Sequence, residues 1–283
     1  MSCPSTSGEI ARAYRAACGA ELEALKPGNV HVFAAGHGMT VADFARAAAA
    51  SAPAIARTGA AVGERILDGL TASRAAVATN TNLGILLLAA PLAAAAELPP
   101  PGGLRTRLRR VLAGLTVADA EATFAAIRHA APAGLGTAAE GDVGAPATLP
   151  LGAAMALARR RDLIARQYAD GYGAIFGFGR RRLAAARARF GTSPWAVSAL
   201  HLAFLAGFPD SHLRRTFGLG VARAVCSSAA PFERALLAAA APEAMRAPLL
   251  AFDAELKSAG RNPGTTADLT VATLFAEALG GFR

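Results

Sequence analysis

Alanine dominates this chain, and it does so in almost every stretch between one glycine or proline and the next. Alanine is the strongest helix former because it loses no side-chain entropy and buries no polar group. No run alternates apolar and polar residues for long enough to make a strand. The punctuation predicts helices over residues 8–25, 41–57, 60–78, 83–97, 104–130 with a break near Gly114, 150–170, 181–190, 194–207, 210–228, 231–258 and 266–280. The expected fold is therefore all-α: a single compact domain over residues 1–283, with about ten to twelve helices. Hydrophobic residues make up 53% of the chain, enough for a large core, and small side chains let helices approach closely. The helix-poor segment 132–150 is either a boundary between two helical lobes or a functional loop within one domain.

The formal net charge is +9, carried almost wholly by arginine, since Lys26 and Lys257 are the only lysines. A basic chain can bind nucleic acid, membrane surfaces or anionic metabolites. The dense runs, Arg105–Arg110, Arg159–Arg161 and Arg180–Arg189, carry little of the aromatic interleaving that nucleic-acid binders use. A polyanionic small molecule fits better. Cys3, Cys18 and Cys226 are too few and too scattered for a disulfide framework or a zinc site. No signal-like N-terminus is evident, and the most apolar run, Leu83–Ala96, is too short to span a bilayer. The cytoplasm is the expected compartment, with no membrane partner; a homodimer is open, because alanine-rich helices with exposed apolar faces can pair.

The distinctive polar residues gather where helix formation fails. Lys26-Pro27-Gly28-Asn29-Val30-His31 either exposes backbone N–H groups and a lysine to a phosphate or is a plain helix C-terminus. Thr40-Val41-Ala42-Asp43 reads as a capping box. Asn80-Thr81-Asn82-Leu83-Gly84 sets three small polar side chains between apolar helices, two more than a cap needs. Burying such groups is costly without partners, which a ligand could supply. On the helix from Arg161, Arg161, Ile164 and Tyr168 share a face, and Asp162 and Arg166 form an ordinary i,i+4 pair. Asp210-Ser211-His212-Leu213-Arg214 either caps a helix or sets a metal-binding carboxylate one turn from a phosphate-binding arginine. Arg261-Asn262-Pro263-Gly264-Thr265-Thr266-Ala267-Asp268 enters the last helix, whose N-terminus attracts anions. Together these give Lys26, Arg161, Arg214 and Arg261 as anion binders. Asp43, Asp142, Asp162, Asp210 and Asp268 are candidate bases or metal ligands, and oxygen ligands without a Cys/His cluster suit Mg²⁺.

The strings KPGNVH, NTNLG, RDLIARQYADGYGAIF, the Asp210–Arg214 motif and RNPGTTADLTVATLF, in that order, resemble the triphosphoribosyl-dephospho-CoA synthase family over about residues 9–281. The resemblance implies an all-helical enzyme in which the ribose 2′-hydroxyl of 3′-dephospho-CoA attacks C1′ of ATP and adenine leaves. It implies nucleotide and anionic-substrate contacts from Lys26, Asn29, Asn80, Thr81, Asn82, Arg161, Gln167, Tyr168, Arg214, Arg261 and Asn262, and Mg²⁺ on Asp210 and Asp268. Proton transfer falls to Asp142 or Asp162, or to His31. Two departures stand out: Gly36-His37-Gly38-Met39-Thr40 replaces an acidic, histidine-bearing segment, and Asn80-Thr81-Asn82-Leu83-Gly84 stands where the family reads N-T-H-K-G. They liken the chain to a divergent branch in methylotrophs and methanogens with a suspected role in one-carbon cofactor biosynthesis. The acceptor is thus either dephospho-CoA or a pterin or furan precursor; a nucleotide- or partner-binding protein without catalysis is the third reading.

Overall fold

The helix that decides the architecture is apolar on every side. Helix α4, Leu83–Glu97, has nearly all its residues buried, which is how a helix at the centre of a bundle must read. The computed structural model describes residues 4–281, and Cys3 lies outside them. Around α4 pack α3 (Val62–Ala76), α5 (Leu104–Ala113), α6 (Val117–Ala130), α8 (Leu163–Asp170) and α13 (Gly264–Ala278). Helix α13 in turn packs on α1 (Ser7–Glu23) and α10 (Pro194–Gly207). The remaining helices are α2 (Val41–Ile55), α7 (Leu151–Ala158), α9 (Arg180–Phe190), α11 (Ser211–Ala238) and α12 (Arg246–Ser258). One core cluster draws residues from Ile10 to Ala276. The described residues hold thirteen α-helices, slightly more than the sequence suggests, and no strand; two isolated β-bridges, His31 with Ala34 and Gly36 with Met39, shape one loop. No helix among them is long and apolar enough to cross a membrane.

The sequence-based boundaries hold at α4 and at the Gly114 break, and the Thr40–Asp43 capping box forms. Three boundaries differ. The expected helix 150–170 is two, because Asp162 turns extended and caps α8 from its own side chain. A π-helical turn, Ala174–Gly179, precedes α9. The expected break before Pro231 is absent: α11 runs through Pro231, kinks instead at Gly218 with φ 85° and ψ 166°, and stops at Ala239. The arginine runs also meet more aromatics than expected. Arg105 lies over Phe176 at 5.8 Å and Arg182 over Phe178 at 5.1 Å, but both rings belong to or pack against the core.

Pro91 inside α4 leaves the Leu87 carbonyl without its helical donor. The Tyr168 hydroxyl donates to that carbonyl at 2.6 Å, and Tyr172 donates to the next one, Leu88, at 3.0 Å. Tyr168 is thereby spent on the core rather than on a substrate.

Candidate functional site

The first turns of four helices open onto one cleft of about 750 Å³. Its lining includes Leu83, Gly84 and Ile85 of α4; Ile164 and Ala165 of α8, with the cap Asp162; His212, Arg214 and Arg215 of α11; and Gly264, Thr265, Ala267 and Asp268 of α13. Helix N-termini present unpaired N–H groups and a positive dipole end, so their convergence makes the cleft receptive to anions. Side-chain caps meet that demand at α8 and α11; at α4 Asn82 makes no cap bond, and only a long bond of 3.4 Å carries the Leu83 N–H to Asn80.

Asp210 explains how two of these ends stay together. One carboxylate oxygen accepts from the His212 and Leu213 N–H groups at 2.8 and 3.0 Å. The other accepts from the Thr266 N–H and hydroxyl at 2.7 and 2.8 Å. One carboxylate thus caps α11 and also α13, whose own cap position holds Pro263 with no side-chain oxygen to offer. Asp210 is 1% exposed and does not line the cleft, so the expectation that it ligates Mg²⁺ is corrected: all its lone pairs are committed to helix caps.

The KPGN and RNPG strings dock on each other. Gly28 adopts φ 83°, and a Cβ there would sit 2.7 Å from the Pro263 ring and 3.0 Å from the Arg261 carbonyl. Its N–H donates to Asp253 at 2.8 Å. Lys26 is fully buried and forms an ion pair with Glu21; its ammonium also donates to Asn29 at 3.2 Å, and Asn29 donates to Asn262 at 2.8 Å. Glu21, Asn29 and Asn262 line the cleft, while Lys26 lies behind them. The expected phosphate contact from Lys26 is therefore corrected to a positioning role. Burial raises the Glu21 carboxyl and lowers the Lys26 ammonium, and their mutual attraction opposes both shifts.

Asp268 is the carboxylate most exposed to the chemistry of the cleft. It takes no hydrogen bond from any described residue, and it rests directly on Gly84: a Cβ at position 84 would lie 2.0 Å from its Oδ2. Burial, followed by the neighbouring charges of Asp210 and Glu21, pushes its pKa well above the usual carboxylate range. Asp268 thus keeps its proton to higher pH than an ordinary carboxyl does.

The other expected residues divide between the cleft and the frame around it. Asn80, Thr81, Asp142, Asp162, Arg161 and Arg214 line the cleft, and the buried Thr81 hydroxyl has no partner among the described residues. Asp162 is held by the Ile164 and Ala165 N–H groups and by Arg215 at 3.0 Å. Asp142 accepts from the Ala138 and Gly144 N–H groups, which lower its pKa. Gln167 is buried, donating to the Leu163 carbonyl and accepting from the Ala174 N–H. Asn82 is buried behind the cleft, donating to Ser51 and Ser73. Arg261 is outside the lining. His31 is 1% exposed, 3.4 Å from Asp253, and driven toward its neutral form by burial. For Tyr168, Gln167 and Asn82 the expected substrate contact, and for His31 the expected proton transfer, is corrected to a role in the frame; Arg261 does not border the cleft. Glu21, His212 and Arg215 were not visible as site residues in the sequence. A histidine in a helix's first turn, an ordinary helical glutamate and one arginine among many carry no local signal.

No three Asp, Glu, His or Cys side chains among the described residues converge as a metal site. Of the two carboxylates expected to hold Mg²⁺, Asp210 is committed to caps, and Asp268 keeps its oxygens free on the cleft.

The family model for ATP:dephospho-CoA triphosphoribosyl transferase matches residues 7–282. The chain belongs to that family. The crystal structure of an Archaeoglobus fulgidus protein assigned as a triphosphoribosyl-dephospho-CoA synthase superposes with a TM-score of 0.62 at 25% identity, covering 84% of this chain and 99% of that one. No curated protein matches the chain. The resemblance read from the five strings is borne out, and the chain is an enzyme, a triphosphoribosyl transferase. In this transferase all five strings pack at or against the one cleft.

Proposed function

We propose that this cleft binds ATP, transfers its triphosphoribosyl unit to a hydroxyl of dephospho-CoA and releases adenine. The observation that carries the reading is Asp268, an unpartnered carboxyl of raised pKa seated on Gly84 at the meeting of four helix ends. Adenine is a poor leaving group unless a proton reaches its ring, and a carboxylic acid kept neutral by its surroundings can supply one. The side of the cleft formed by Leu83, Ile85, Leu87, Phe124 and Ile127 suits the flat face of the base. Arg161, Arg214 and Arg215 at the rim suit the triphosphate and the acceptor's phosphates. Asn29, Asn80, Thr81 and Asn262 offer hydrogen bonds to ribose. Magnesium enters this reading as the counter-ion that ATP brings with it, and no step is routed through it.

Displacement at C1′ passes through a cationic, oxocarbenium-like transition state. The cleft contributes by holding donor and acceptor in line and by surrounding the ring with acidic groups. Leu83 in the lining, where the family commonly carries lysine, favours a second reading: the same donor chemistry with a less highly charged acceptor, such as a one-carbon cofactor precursor. Chromatography of adenine released from Mg²⁺–ATP, with and without dephospho-CoA, decides. Release that depends on dephospho-CoA is expected; ATP binding without release would overturn that acceptor and leave the second reading.

A further inference from the structure

A transferase that protonates its leaving group also has to remove a proton from the attacking hydroxyl. Five carboxylates line the cleft: Glu21, Glu140, Asp142, Asp162 and Asp268. Glu140 is exposed on the 132–150 segment. Asp142 accepts two backbone N–H groups that weaken it as a base. Asp162 is occupied by two cap bonds and the Arg215 guanidinium. Asp268 carries the leaving-group proton. Only Glu21 remains, and its setting differs in kind from the others.

Glu21 sits in the last turns of α1 and is 3% exposed. Its Oε1 accepts from the buried Lys26, while its Oε2 takes no hydrogen bond from any described residue. Lys26 offsets part of the burial that raises the Glu21 carboxyl, and a carboxylate without a full water shell is a stronger base than one in water. Lys26 is itself clamped through Asn29 to Asn262, so the carboxylate is held in one orientation from both ends of the chain.

We propose that Glu21 is the general base of the transfer and that Lys26 is its positioning residue; this rests on the reading of the cleft given above. As the acceptor oxygen bonds to C1′, its proton passes to Glu21 Oε2. The C1′–N9 bond breaks with its electron pair going to adenine, which takes the Asp268 proton. Glu21 ends neutral and Asp268 anionic, and exchange with solvent resets both.

The test compares wild type, E21Q, E21D and the neutral pair E21Q/K26M, which removes both buried charges at nearly constant volume. Three quantities are read: ATP affinity by calorimetry, transfer product, and adenine released by water alone. E21Q and E21Q/K26M should bind ATP within about threefold of wild type and lose transfer by about 100-fold or more, and adenine released by water alone reports separately on Asp268, whose pKa the Glu21 charge helps to raise. E21Q/K26M transferring at more than a tenth of the wild-type rate overturns the assignment. If neither glutamine variant binds ATP, E21D decides: kcat down about tenfold or more at unchanged ATP affinity supports the base, and unchanged kcat overturns it. Wild type that releases no adenine with dephospho-CoA fails at the earlier step and takes this assignment with it.

Discussion

The floor and the wall of the cleft are built by opposite means. The floor is made of residues far apart in the chain, Glu21, Asn29, Gly84, Asn262 and Asp268, brought together by contacts between separate elements. The wall is the segment from Ala131 to Val143, rich in small residues with glycines 134, 136 and 141 at positive φ. Its shape rests largely on local turns such as the two N–H groups gathered by Asp142. Groups that must meet reacting atoms need tight placement, which buried long-range contacts provide. A segment that must admit two large substrates gains from being held locally.

The contrast predicts a graded series of effects. G84A should be the most damaging to turnover: a methyl 2.0 Å from the Asp268 carboxyl forces that group aside, and transfer should fall about 100-fold or more. A milder loss would mean the floor tolerates shifts and the contrast is overstated. K26M alone strands Glu21 as a buried, unpaired charge and should destabilise the fold by about 3–5 kcal/mol in denaturant unfolding. D210A removes the shared cap of α11 and α13 and should cost about 2–3 kcal/mol, with ATP affinity weakened because the two helix ends separate.

Asp268 gives a test in pH. Its folded pKa lies above its unfolded value, so its contribution to stability is complete below the unfolded pKa and is lost as pH rises toward and through the folded one. D268N should abolish that slope, leaving the variant as stable as wild type near pH 4 and more stable at pH 8, while losing adenine release. Equal stability of the two proteins across that range would contradict the buried-carboxyl picture. The smallest effect is expected in the wall: D142A should leave the melting temperature nearly unchanged and raise KM a few-fold. A large loss of stability there would erase the distinction between wall and floor.

The helices were legible because they are written locally. The α4 bounds follow from an apolar run between Asn82 and Leu98, and the α2 start follows from Thr40 and Asp43. The split between α7 and α8 was not, because the arginines at 159–161 are good helix formers and only Asp162 marks the boundary. The site was half legible for a related reason. Strings such as NTNLG and RNPGT carry more polarity than caps require, and they do border the cleft. Which side chain faces it depends on contacts with other elements, from Asn82 with Ser73, 9 residues away, to Asn29 with Asn262, 233 away. Glu21 and Lys26, five residues apart, make no regular helical pair, so nothing local announces their ion pair. Tyr168 showed only a helix face, and its hydroxyl is claimed by a carbonyl that Pro91 leaves open 81 residues upstream.

Asp268, the carboxylate of the floor, stands on the last helix, while Glu21 stands on the first. A chain emerging from the ribosome therefore has the arginines of the cleft and most of its core before the floor can close. Asp268 arrives only when α13 packs between α1, α4 and α10. Until then Gly28, Asn29 and Gly84 lack the residues they dock on, so the floor of the cleft is the last part of the molecule to form.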